Sequence, residues 1–174
     1  MTDRAQFPDR DAAEDEFFWL EDVQSDRALA WVSEQNARTS GLFTAYALEQ
    51  SSKRILDVLD STDRIPMVSK RGAFLYNFWK DAEHPRGLWR RATLDSYMTS
   101  EPEWDLLLDV DELCRLEGAE WVFASADMLF PQYTRALIRL SPDGGDATAV
   151  REFDLETKTF VADGFNLPSA KISV

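Results

Sequence analysis

The residues of this chain best suited to chemistry gather in four short stretches. The first is Asp81, Glu83 and His84, inside Asp-Ala-Glu-His-Pro. An imidazole and two carboxylates are metal ligands by type. One histidine and two acids in a single turn give poor geometry without further donors. His84, the only histidine, therefore reads as a solvated turn residue. The second stretch is the acidic group Asp109, Asp111 and Glu112, read as a solvated strand end. The third is the pair Arg90 and Arg91, expected to pair with nearby acids, with a carboxylate-binding role as the alternative. The fourth is Asp143-Gly144-Gly145-Asp146, which lacks the carboxylate spacing of an EF-hand loop and marks a turn instead.

Acyl transfer would need a serine on a sharp strand-to-helix turn, a histidine base and an acid to orient it. No serine sits in a G-x-S-x-G frame: Ser40 precedes Gly41, and Ser141 precedes Pro-Asp-Gly-Gly. There is no glycine-rich phosphate loop and no cysteine pair. The sequence thus nominates no catalytic, cofactor-binding or metal-ligating residue, no cofactor, and no paired acid and base for a carboxylate enzyme.

Charge narrows the partners. Across 174 residues the net charge is -13, which argues against nucleic acid or an anionic membrane, since both call for a basic surface. Cys114 is the single cysteine, so no internal disulfide forms, and a reducing, cytoplasmic setting is expected. The N-terminal segment has no signal-peptide apolar core, and no run approaches the roughly 20 apolar residues of a membrane span.

The elements that would carry these residues come in two kinds. Residues 1–14 are polar and charged and read as a loose tail. Asp15–Asp22, DEFFWLED, sets Phe17, Phe18, Trp19 and Leu20 between acids, an aromatic cluster that must dock either on its own helix or on a separate domain. If that domain is absent, Trp19 should be largely exposed or else buried by a neighbouring chain. Ser25 or Asp26 is a plausible N-cap for an amphipathic helix over Asp26 to about Thr39, and a second helix follows over Leu42 to about Asp60. From Ile65 the pattern changes to strands and turns. Pro66–Lys70 suits a short edge strand. Gly72–Leu94 reads as a hairpin with arms Ala73–Trp79 and Leu88–Leu94, and both faces of its first arm are apolar, as in a strand buried between layers. Glu103–Asp109 reads as a strand with Trp104, Leu106 and Leu108 on one face, followed by a helical turn ended by Gly118. Further strands fall at Glu120–Ala126, Tyr133–Ser141, Ala149–Asp154 and Thr159–Ala162. Pairing Tyr76 with Val122 or Phe123, Leu94 with Leu140 and Asp109 with Asp154 gives an offset of roughly 46 residues, the period of propeller blades.

Six segments in order and spacing resemble the N-terminal portion of the prolyl oligopeptidase family of serine peptidases. They are DEFFWLED at Asp15–Asp22, WVSEQN at Trp31–Asn36, FLYNFWKDAEHPRGLWRRATL at Phe74–Leu94, EWDLLLDVDEL at Glu103–Leu113, LSPDGGDATAVREFDLETKTFV at Leu140–Val161, and DGFNLPSAK at Asp163–Lys171. Glu16 departs from the pattern, where the family commonly has proline. The resemblance implies an α+β, mainly β fold: an N-terminal helical hairpin over residues 15–64, then about two four-stranded antiparallel blades of an incomplete β-propeller over residues 65–174. It implies a non-catalytic piece that would brace an α/β-hydrolase domain and gate access of short peptides, cleaved after proline, to a Ser-Asp-His triad carried elsewhere. The partners it implies are the remainder of such a peptidase and, only in the full-length enzyme, peptide substrate. Two unclosed blades would also leave an aromatic face and a sheet edge exposed, so self-association through exposed aromatic faces is expected. A free-standing β-rich binding module is the alternative.

Overall fold

The structure, a computed structural model, describes residues 15–171 apart from Thr44 and Thr62. The tail expected over residues 1–14 lies outside them. The chain divides into two compact units between Arg54 and Ile55.

In the N-terminal unit, Asp15 Oδ1 accepts the Phe17 N–H at 2.9 Å and opens a single 3-10 turn, Phe18–Glu21. Helix α1, Asp26–Gly41, begins at Ser25, whose hydroxyl accepts the Ala28 N–H at 3.2 Å, which settles the choice of N-cap. Phe17 and Trp19 both pack on Trp31 of α1, with ring centroids 6.2 Å away in each case. Arg27 lies over the Trp19 ring at 4.1 Å, and Trp19 Nε1 donates to the Glu16 carbonyl. The aromatic cluster therefore docks on its own helix, and Trp19 is half-buried rather than largely exposed. Helix α2, Ala45–Leu59, runs across the division between the units and buries none of its described side chains. Its apolar residues Ile55, Leu56, Val58 and Leu59 are all more than half exposed.

In the second unit β1 (Ser69–Arg71), β2 (Phe74–Trp79), β3 (Leu88–Thr93) and β4 (Asp105–Asp109) form an antiparallel meander in chain order. A short helix α3, Leu94–Tyr97, capped by Thr93, fills the β3–β4 link. Helix α4, Val110–Glu117, follows β4 directly. Asp109 caps it by accepting the Glu112 N–H at 2.9 Å, and Gly118 ends it in the left-handed region. A second antiparallel sheet contains β5 (Trp121–Met128), β6 (Arg135–Pro142), β7 (Thr148–Asp154) and β8 (Thr159–Phe160) in order. It has a fifth strand, β9 (Asn166–Ala170), which pairs with β7 beyond the short β8. The two-sheet plan is the one expected, with one strand added to the second sheet.

Two details depart from expectation. By rank β2 corresponds to β6, not to β5, so the expected offset pairs Tyr76 on a second strand with residues of a first strand. Leu94 belongs to α3 and has no strand counterpart. On β4, Trp89 pairs with Leu108 but Arg90 pairs with Leu106, leaving Leu107 as a bulge. The bulge puts Leu106 and Leu108 on opposite faces: Leu108 joins the core and Leu106 is exposed.

The core lies between the two sheets and α4. Val110, Ile138, Leu140, Phe153 and Leu155 are fully buried there, each stabilising the fold by about 1.5–3 kcal/mol. Its centre is aromatic. Phe78 stacks on Phe123 at 4.3 Å with an 11° interplanar angle, Trp89 meets Phe153 at 5.8 Å, and Phe153 meets Phe160 at 5.2 Å. The rim is ionic: Asp105 of the first sheet joins Lys158 of the second, and Arg86 of the hairpin turn joins Glu120.

Candidate functional site

The hairpin turn holds the first candidate group, and it is already satisfied internally. Asp81 Oδ1 accepts the N–H groups of Glu83 and His84 at 3.0 and 2.8 Å and lies 3.0 Å from His84 Nδ1, while Oδ2 accepts from Trp79 Nε1 at 2.9 Å. Burial tends to raise the Asp81 pKa, but these donors outweigh it and hold the carboxyl below its ordinary value. Among the described residues no three His, Cys, Asp or Glu side chains cluster to hold a metal.

The second group is structural rather than solvated. Asp109 caps α4. Asp111 reaches back to the hairpin, where Oδ2 accepts the backbone N–H groups of Arg86 and Gly87 at 3.1 Å each. Glu112 pairs with Arg115. Ser141 is buried, its hydroxyl donating to the Gly145 carbonyl at 2.5 Å within the Pro-Asp-Gly-Gly turn. Cys114 Sγ donates to the Trp121 carbonyl at 3.5 Å.

The two arginines separate. Arg91 behaves as expected: its Nε donates to Asp105 Oδ2 at 2.9 Å. Asp105 also takes Lys158, and although burial works in the other direction these two cations hold its carboxyl below its ordinary value. Arg90 does not pair with an acid. The strand register sets Asn77 of β2 across from Arg90 of β3, and Arg90 across from Leu106 of β4, all on the face turned away from the second sheet. Trp79 shares that face by period-two alternation from Asn77. The Arg90 guanidinium lies 4.8 Å from the Trp79 centroid and 4.3 Å from that of Trp104, between the two rings. Arg64 sits over Trp79 at 4.6 Å, and Tyr97 meets the Trp104 ring edge-on at 6.1 Å. Asn77 fixes this stack. It is buried, accepts from Arg90 Nε at 2.8 Å, and donates its amide to the Met67 carbonyl at 2.8 Å. Burial pulls the Arg90 pKa down to about 10, against the field of Asp81, so the group stays charged at neutral pH. These side chains line an open cleft of about 560 Å³, floored by Trp79, Arg90 and Trp104 and walled by Pro66, Tyr97 and Pro102.

The roles of Trp79 and Trp104 are not evident from residue type alone. Counting outward from the inner ends of the two hairpin arms, Trp79 and Leu88, places Asn77 opposite Arg90. No comparable signal brings Trp104 in, because it precedes β4 and approaches through the turn after α3.

The sheets, their order and the aromatic layer between them define a class: adjacent blades of an unclosed β-propeller. The chain belongs to the prolyl oligopeptidase family. Residues 3–173 match the family's N-terminal β-propeller domain. An uncharacterised peptidase of Sinorhizobium fredii is 42% identical over 166 residues, covering 93% of this chain and 23% of that protein. An uncharacterised peptidase of Rickettsia prowazekii is 32% identical over 149 residues, covering 84% of this chain and 20% of that protein. Among solved structures, a post-proline cleaving enzyme from Rickettsia typhi superposes with a TM-score of 0.76 at 33% identity, over 90% of this chain and 22% of that one. The chain therefore spans about a quarter or less of the relatives it matches.

Proposed function

We propose that this chain is the scaffold and gate of a serine peptidase that hydrolyses short peptides after proline. The helices brace a hydrolase domain, and the two blades form part of the filter above its active site. The observation that carries this reading is the match of residues 3–173 to the family's N-terminal propeller, joined to the likeness to a post-proline cleaving enzyme. The exposed apolar residues of α2 support the bracing role, since such a stripe gains stability only against another surface. The chemistry belongs to the remainder of the peptidase, which is the partner this reading requires. The lone Cys114 supports a cytoplasmic setting, testable by cell fractionation.

The test uses the product of the source gene as purified. It is weighed intact, labelled with a fluorophosphonate, and assayed on a short proline-containing reporter and on unfolded casein. A species larger than 19.9 kDa that labels, cleaves the reporter and spares casein supports the reading. Loosening the inter-blade stack with Phe78→Ala and Phe123→Ala should then admit casein. A 19.9 kDa species that does not label would overturn the peptidase assignment, and unchanged size selection in the double variant would overturn the gate.

A further inference from the structure

The Arg90 cleft has the features of a ligand site rather than of a structural ion pair. Only one Arg90 donor is used within the chain: Nε, by Asn77. The two terminal nitrogens have no acceptor among the described residues, although the guanidinium is partly desolvated between two indoles. The nearest candidate counter-ion, Asp81, is committed to Trp79, Glu83 and His84. Four of the other arginine side chains described on the two sheets reach a carboxylate: Arg91 to Asp105, Arg135 to Glu152 and Asp154, Arg139 to Asp127, Arg151 to Glu117. Edge residue Arg71 instead donates to a backbone carbonyl at the open margin. Asn77 and the two rings fix the orientation of the Arg90 fork, so a ligand would meet it with little reorganisation.

We propose that the Arg90 cleft is a carboxylate-binding site, in which a planar two-oxygen anion bridges the two free terminal nitrogens and an attached apolar group lies against Trp104, Tyr97 and Pro102. A carboxylate matches the spacing of the fork and gains charge-assisted strength from partial burial. The cleft, at about 560 Å³, falls within the roughly 300–1,000 Å³ typical of small-ligand sites. The hydroxyls of Thr99 and Ser100 line the same opening and can accept or donate to the polar remainder of a ligand. Two sources share this chemistry: a chain-terminal α-carboxylate, and an acidic side chain presented by another polypeptide segment. The inference does not rest on the peptidase reading, because it concerns binding by this chain itself.

The test is a titration of the 15N-labelled chain, read at the six tryptophan indoles. N-acetylphenylalanine carries the α-carboxylate, its amide is the uncharged control, and N-acetylglutamic acid blocked as the α-amide carries only the side-chain acid. Saturable shifts of the Trp79 and Trp104 signals with an acid, absent with the amide control and absent at Trp19, Trp31, Trp89 and Trp121, support the proposal. Which acid saturates identifies the source. Arg90→Lys keeps the charge, removes the fork and should weaken binding about tenfold or more. Equal shifts with acid and amide, no saturation with either acid, or unchanged affinity in a folded Arg90→Lys chain would overturn it. If that variant does not fold, the wild-type comparison of acid with amide decides alone.

Discussion

Gly87 lies at the point where the hairpin turn meets the layer between the sheets, and Gly87→Ala tests that layer directly. Its φ is +105°, and a Cβ there would stand 2.5 Å from Cζ and 2.9 Å from Cε1 of Phe78. Two separate penalties follow. The backbone conformation disfavours any L side chain by about 1–3 kcal/mol. The Phe78 ring must also leave its rotamer, at about 0.5–1.5 kcal/mol, and give up its 4.3 Å stack on Phe123, at about another 0.5–1.5 kcal/mol. The expected loss is about 4 kcal/mol in total, a large share of the 5–15 kcal/mol or so that holds most domains folded. Urea unfolding followed by tryptophan fluorescence reads it, since Trp89 is buried beside Phe123. With a slope of about 2 kcal/mol per M, the midpoint should fall by about 2 M. In a Phe78→Leu background the ring clash is gone, and Gly87→Ala should then shift the midpoint by only about half as much. Equal shifts in the two backgrounds would refute the clash as the cause, and a shift near zero in both would refute the backbone argument as well.

Two further outcomes are expected. The Asp105 carboxyl is held below its ordinary value of 3.8, so the folded chain binds fewer protons there than the unfolded one. That contribution is complete above the unfolded value and is lost as pH falls through the folded one. Asp105→Asn should therefore lower the urea midpoint at about pH 6 and make the further drop toward about pH 3 shallower than in the wild type; parallel curves would exclude Asp105 as a source of acid sensitivity. The exposed apolar residues of α2 should drive self-association of the isolated chain, seen as a concentration-dependent mass by size-exclusion chromatography with light scattering, and a stable monomer at all concentrations would count against it.

Much of the architecture is legible because local signals agree with it. Ser25 before α1, Gly118 after α4, the Asp81–Gly87 turn and Pro142-Asp-Gly-Gly each mark a boundary through backbone chemistry that does not depend on the rest of the fold. The misses have equally specific causes. Leu106, Leu107 and Leu108 are identical in type, so the run carries no sign of which residue bulges. Strand β9 contains Pro168 and polar neighbours, which demote it by propensity, yet as an edge partner of β7 it tolerates both. Offset by residue count failed between the sheets because α4 and the longer β5 intervene unevenly. The arginine pair was the hardest to read: Arg90 and Arg91 are adjacent, and strand alternation alone sends one to an acid and the other between two indoles.

The order of strands in space repeats their order along the chain in both sheets, β9 being the one that skips a neighbour. Every pairing up to β8 is thus made with the strand just synthesised, and a sheet can close once its last strand has left the ribosome. The first sheet can form its hydrogen bonds before the second exists, and Tyr76 and Trp89 can already stack on each other, but Phe78 and Trp89 lack their partners Phe123 and Phe153 until β5–β7 emerge. The vulnerable interval in the birth of this protein is therefore set by the stretch from α4 to β7, during which an aromatic surface waits, hydrogen-bonded but uncovered.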